Sequence, residues 1–115
     1  MSRILGGFET ILLFALLELD DDAYGVAIRK AIKARTRRTV SPGAVHTALL
    51  RLERRGLVQS ETDETPPKSG GRPRRYYELT EEGARALRGS HAAITQMAAG
   101  LEARLRNAAP GPERA

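Results

Sequence analysis

Ser41 to Gly56 reads SPGAVHTALLRLERRG, a short helix with both of its ends spelled out. The Ser41 hydroxyl suits the N-cap, where it can accept from a free backbone N–H of the first turn. Pro42 follows at the first helical position, where its missing N–H costs nothing. Gly56 suits the left-handed residue just past the C-terminus, and Arg54 and Arg55 stand where cations favour the helix dipole. Val45, Ala48, Leu49 and Leu52 recur at helical spacing and make one apolar face. His46, Thr47, Leu50, Arg51 and Arg54 occupy the other side. A buried stripe backed by donors and cations fits a DNA major groove. The same pattern also describes an ordinary amphipathic helix with solvated arginines, so its neighbours must decide.

The chain has 115 residues and a formal net charge of +5. That length suits one small domain with a modest core, for which burial in an oligomer is a natural supplement. With 41% hydrophobic and 29% charged residues the composition is that of a globular protein. The positive balance favours polyanionic partners, either nucleic acid or an anionic membrane surface. The absence of cysteine excludes disulfides, thiol catalysis and cysteine–zinc sites. The longest apolar run, Ile11 to Leu17, is far short of a membrane span, and no secretory signal is visible. A cytoplasmic protein without a membrane anchor is expected.

Residues 8 to 19, FETILLFALLEL, form the first helix, apolar almost all round. Such a helix is either central to a core or covered partly by a second subunit, and the small domain favours the second. Asp20, Asp21 and Asp22 interrupt it, and Asp22 is placed to cap a second helix from Ala23 to Ala34. Tyr24, Ala27, Ile28, Ala31 and Ile32 are the buried face of that helix. Arg29, Lys30, Lys33, Arg35, Arg37 and Arg38 form a basic run without an acid, suited to phosphate contacts. Thr39 and Val40 read as a very short strand. Helix, connection and helix of these lengths make a helix-turn-helix pattern.

After Gly56 the period changes. LVQSET at Leu57 to Thr62 and RYYEL at Arg75 to Leu79 read as strands, with Tyr77 and Leu79 on one face and Tyr76 on the other. The stretch between them, with Pro66, Pro67 and Ser69-Gly70-Gly71, is a long hairpin loop, and Lys68, Arg72, Arg74 and Arg75 lie on its far side. A basic hairpin directly after a candidate recognition helix is a wing, whose arginines can enter a narrow minor groove. Thr80 then caps a last helix that runs to Arg106. Ala84, Leu87, His91, Ile94, Ala98, Leu101 and Leu105 alternate spacings of three and four, which is a heptad seam. Gly89 and Gly100 weaken it, each by up to ~1 kcal/mol against alanine. His91 on that seam, if buried against its symmetry mate, would make pairing weaker below about pH 6.5. Residues 107–115 are expected to be disordered.

Three stretches resemble the PadR family of bacterial transcription regulators: Tyr24-Gly25 with the helix after it, VSPGAVHTALLRLERRGLV at Val40 to Val58, and GRPRRYYELTEEG at Gly71 to Gly83. The resemblance implies a mainly α fold with a small β-hairpin, a winged helix-turn-helix followed by a dimerisation helix. It also implies a homodimeric, sequence-specific DNA binder, usually a repressor. Carried over by position, Ser41, Gly43, His46, Thr47 and Arg51 face DNA, and Arg72 and Arg74 belong to the wing. A side chain at Gly43 would hold the backbone off a phosphate. The family commonly has tyrosine where this chain has His46, which still donates but reaches less far. Some relatives bind planar drugs between subunits; this chain has no tryptophan to stack on one, so that property is not carried over.

Together these readings divide the chain into a DNA-binding domain over 1–80, a dimerisation helix over 81–106 and a tail over 107–115. Lys33, Arg37 and Arg38 are expected at phosphates, and Lys68, Arg72 and Arg74 in the wing. Leu13, Leu17, Leu87, His91, Ile94, Ala98, Leu101 and Leu105 are expected at the dimer interface. The expected partners are double-stranded DNA and a second copy of the chain, with no metal and no cofactor. An effector, if one exists, has unknown chemistry and would enter at the dimer interface. An enzyme is disfavoured because the two histidines lie in separate elements and no nucleophile, metal or phosphate-loop motif is present. A single-stranded RNA reader would need more aromatic residues than 4%. A winged helix that binds protein is the alternative, distinguished by a weak response to salt.

Overall fold

The computed structural model describes residues 4–64 and 73–111. Helices α1 (Gly7–Leu19), α2 (Gly25–Thr36) and α3 (Pro42–Arg54) are followed by strands β1 (Val58–Thr62) and β2 (Arg75–Leu79), then α4 (Glu81–Ala98) and α5 (Glu102–Ala108). The fold is a winged helix. The strands pair antiparallel, with Val58 opposite Leu79 and Thr62 opposite Arg75.

The ends of α3 are made by the residues that signalled them. Ser41 Oγ accepts from Ala44 N at 3.1 Å. At the other end Gly56 turns at φ 76. There Gly56 N donates to Glu53 O and Leu57 N to Leu52 O, each at 3.0 Å, the paired bonds that close a helix on a left-handed glycine. Thr80 caps α4 by accepting from Gly83 N at 3.0 Å, and donates its own hydroxyl hydrogen to Gly56 O at 2.7 Å. Thr80 N meets Leu57 O at 3.1 Å. One residue thus ties the end of α3 to the start of α4.

α1 lies at the centre, packed against α2, α3, α4 and β2. Leu12, Leu13 and Leu16 fill the core with Ile28, Leu49, Leu52, Val58 and Leu87. Leu13 and Leu87, expected at a dimer interface, both belong to the core of the single chain. Leu13 is 0% exposed and Leu87 4% exposed there. Phe14 and Leu17, on the other side of α1, stay 39% and 60% exposed.

Three local expectations also change. Asp22 does not cap α2. Asp20–Asp22 close a 3-10 turn, and the N-cap falls on Tyr24, which is extended because it forms an antiparallel bridge with Tyr76. Thr39 and Val40 form no strand; among the described residues the sheet is the hairpin alone, and Val40 packs on the core instead. The last helix is two helices, broken where Gly100 turns at φ 77. Glycine enters that region freely, so the sequence yields there first.

The N-terminal arm runs along α4. Leu5 is buried, and its N–H donates to the buried Ser90 hydroxyl at 2.8 Å. Nothing local in either residue announces this bond.

Candidate nucleic-acid interface

α3 buries Val45, Ala48, Leu49 and Leu52 and leaves Ser41, Gly43, His46, Thr47 and Arg51 exposed. Packing of α3 against α2 and β1 holds that face outward beside the hairpin. Gly43 meets open space: a Cβ there would find no atom within 4 Å. Nothing inside the chain requires glycine at this helical position.

The basic run divides once its neighbours are known. Arg35 forms a two-point ion pair with Glu18 of α1, at 2.9 and 3.0 Å. That hydrogen bond holds the Glu18 carboxyl below its ordinary range. Lys33, Arg37 and Arg38 are exposed, and among the described residues none of them has an acidic partner within 4 Å. Arg37 closes α2 at φ 63, with its N–H on Lys33 O at 2.9 Å, and Lys33 Nζ donates back to Arg37 O at 3.2 Å. A non-glycine residue in this region is uncommon. It ends α2 five residues before α3 begins, with Arg37 and Arg38 in the connection between them.

Lys68 and Arg72 lie outside the described residues. Arg74 does not project freely from the wing; its guanidinium lies over the Tyr24 ring, 4.2 Å from the centroid. Arg75 turns the other way. Its Nε donates to Ser60 Oγ at 3.0 Å, and Ser60 donates to Glu53 of α3 at 2.8 Å. Arg75 therefore braces the hairpin against α3, a role its place in a basic stretch did not reveal. Arg55 likewise pairs with Glu9 of α1 at 2.9 Å.

Between α2, α3 and β2 lies a notch of about 280 Å³ lined by Tyr24, Arg29, His46, Arg74 and Arg75. Arg29, part of the basic run, lines this notch; its spacing of four from Lys33 is the sequence signal for it. A second groove, about 430 Å³ and lined by Ile4, Ile94, Met97, Ala98, Leu101 and Leu105, opens on α4 and α5. Ile94, Ala98, Leu101 and Leu105, all on the heptad seam, line that groove together. Met97 of α4 and Ile4 of the N-terminal arm line it as well. His91 stands apart from the groove, its ring edge-on to Phe14 at 5.4 Å. Leu17 is exposed on the neighbouring α1. Among the described residues no cluster of His, Asp or Glu could hold a metal ion, and no helix is long and apolar enough to cross a membrane.

A three-helix core, an outward-facing third helix with a basic margin and a hairpin braced to it define a winged helix-turn-helix protein. The sequence profile of the transcriptional regulator PadR-like family matches residues 13–89, and the chain belongs to that family, whose members are DNA-binding transcriptional regulators. A PadR family transcription regulator from Clostridium difficile R20291 is 28% identical, over 86% of this chain and 99% of that one, with a TM-score of 0.71. A PadR family transcriptional regulator from Eggerthella lenta DSM 2243 is 32% identical, over 84% and 81%, with a TM-score of 0.65. No curated protein matches the chain.

Proposed function

We propose that this regulator is a cytoplasmic repressor that binds a pseudo-palindromic operator as a homodimer. One observation carries the reading: the α4–α5 groove leaves Ile94 52%, Met97 75% and Leu105 70% exposed in a chain that has a complete core without them. Large contiguous apolar surface of this kind marks a protein interface. A second copy of the chain supplies an equally apolar face, as two-fold symmetry requires. The pair then sets two recognition helices in successive major grooves, about 34 Å apart. An effector of unidentified chemistry would enter between the copies.

On α3, Ser41, Gly43, His46, Thr47 and Arg51 face the DNA, and Arg51 is assigned to a base edge, guanine O6 and N7, worth about 1–3 kcal/mol of discrimination. Lys33, Arg37 and Arg38 take phosphates, and Lys68, Arg72 and Arg74 serve the wing. In vitro selection from random duplex DNA tests the whole reading. Enrichment of an inverted repeat with half-sites one turn apart is expected. Arg51→Ala should relax the preference at one position per half-site, whereas Arg37→Ala should weaken all sequences alike and flatten the salt dependence. A preferred sequence unchanged by Arg51→Ala removes that assignment. Absence of binding even at low salt points to a protein partner.

Gly43 gives a sharper test, because fold and function pull apart there. Gly43→Ala removes a first-turn glycine that faces open space and is expected to stabilise the chain by about 0.4–1 kcal/mol, by narrowing the unfolded ensemble. If α3 presses its first turn against the DNA backbone, the same methyl weakens binding. A thermal melt and a duplex titration on one sample decide: a variant both more stable and equally tight puts Gly43 away from the DNA.

A further inference from the structure

Arg74 sits where the wing meets the body, and it is held there. Its guanidinium lies over the Tyr24 ring, and that ring in turn meets the Tyr76 ring. The two tyrosines are themselves fixed. Residues 24 and 76 form an antiparallel bridge, and their rings meet edge to face at 5.6 Å. Next to them Tyr77 N donates to Ala23 O at 2.8 Å. The stacked guanidinium lines the notch between wing and recognition helix, in company with Arg29 and His46.

Stacking occupies the face of a guanidinium and leaves in-plane N–H donors free, and those donors match the oxygens of a phosphate. A free arginine must lose rotamer freedom on meeting its target; one already stacked has lost much of it beforehand. We infer that Tyr24 is a positioning residue for DNA binding: its ring holds Arg74 in the notch, aimed at a backbone phosphate. The inference rests on Arg74 touching DNA, as proposed above.

The experiment titrates a mixed-sequence duplex at several salt concentrations with the wild type, Arg74→Ala, Tyr24→Phe, Tyr24→Leu and the Tyr24→Leu/Arg74→Ala pair. Arg74→Ala is expected to reduce the salt slope by about one per subunit. Tyr24→Phe keeps the ring and should bind as the wild type does. Tyr24→Leu should weaken binding by about 2–5-fold, and that loss should vanish in the Arg74→Ala background. If Arg74→Ala keeps wild-type affinity and slope, the DNA contact itself is wrong. If Arg74→Ala weakens binding but the Tyr24→Leu loss persists in full in the pair, the contact stands and the positioning role is overturned. Should Tyr24→Leu fail to fold, NMR of the wild type still decides. Arg74 side-chain protons shifted upfield by the Tyr24 ring current support the inference, and unshifted protons refute it.

Discussion

Ile94→Glu combined with Leu101→Glu is expected to yield a folded monomer whose operator affinity falls by at least ~10²-fold. Both side chains are substantially exposed in the single chain, at 52% and 43%. The core that holds α1 to α4 does not use them, so the fold should survive. A second copy laid on the groove would have to bury the introduced carboxylates in apolar surroundings, where an unpaired charge is strongly disfavoured. Each protomer alone still has a recognition helix, but it loses the local concentration that a paired reader gives the second half-site, typically a factor of 10²–10⁴. Light scattering after size exclusion should return the mass of one 12.6 kDa chain, with an unchanged thermal transition at low concentration. A variant that remains dimeric and binds as before would place the interface elsewhere.

Gly83→Ala is expected to be the most damaging of the conservative glycine substitutions. A Cβ at Gly83 would stand 2.0 Å from the Leu57 carbonyl oxygen and 2.9 Å from its carbon, with Leu79 Cδ2 at 3.1 Å. The obstacle is backbone, and it is pinned, since Leu57 O also accepts from Thr80 N. Either α4 backs away and loses the Thr80 cap, or the link between α3 and β1 is pushed off the core. Overpacking of this kind costs about 1–3 kcal/mol, and a backbone obstacle puts it at the upper end. The melting temperature should drop by roughly 10–20 °C. Gly89→Ala, in the same helix but with nothing within 4 Å of its Cβ, should instead gain about 0.5–1 kcal/mol. Equal melting temperatures for the two variants would show that α4 can shift away from Leu57 without loss.

The features that could be read from residues alone are those whose physics is local. A serine, a proline and a glycine at the ends of α3, and a threonine at the start of α4, act on backbone groups within one turn of themselves. Their caps appear where the sequence put them. The apolar period of α3 settled which face is buried, because helical spacing alone decides which side chains share a side. The strand alternation did the same for Tyr77.

What the residues could not show depends on which element lies opposite. Leu13 and Leu17 look alike within α1, yet one is sealed beneath neighbouring elements and the other is open. A seam counted along one helix cannot reveal that Leu87 meets its own core first, or that the helix is broken at Gly100. Charges are sorted in the same way. Arg35, Arg55 and Arg75 read as free cations until α1, α3 and the hairpin bring Glu18, Glu9, Ser60 and Glu53 beside them. Arg74 reads as a free wing residue until the chain closes over Tyr24. The sequence by itself determined the elements, their caps and the face that α3 presents. Only the tertiary structure decided which exposed-looking residues are already partnered, because those partners are distant along the chain and meet only when the core has closed.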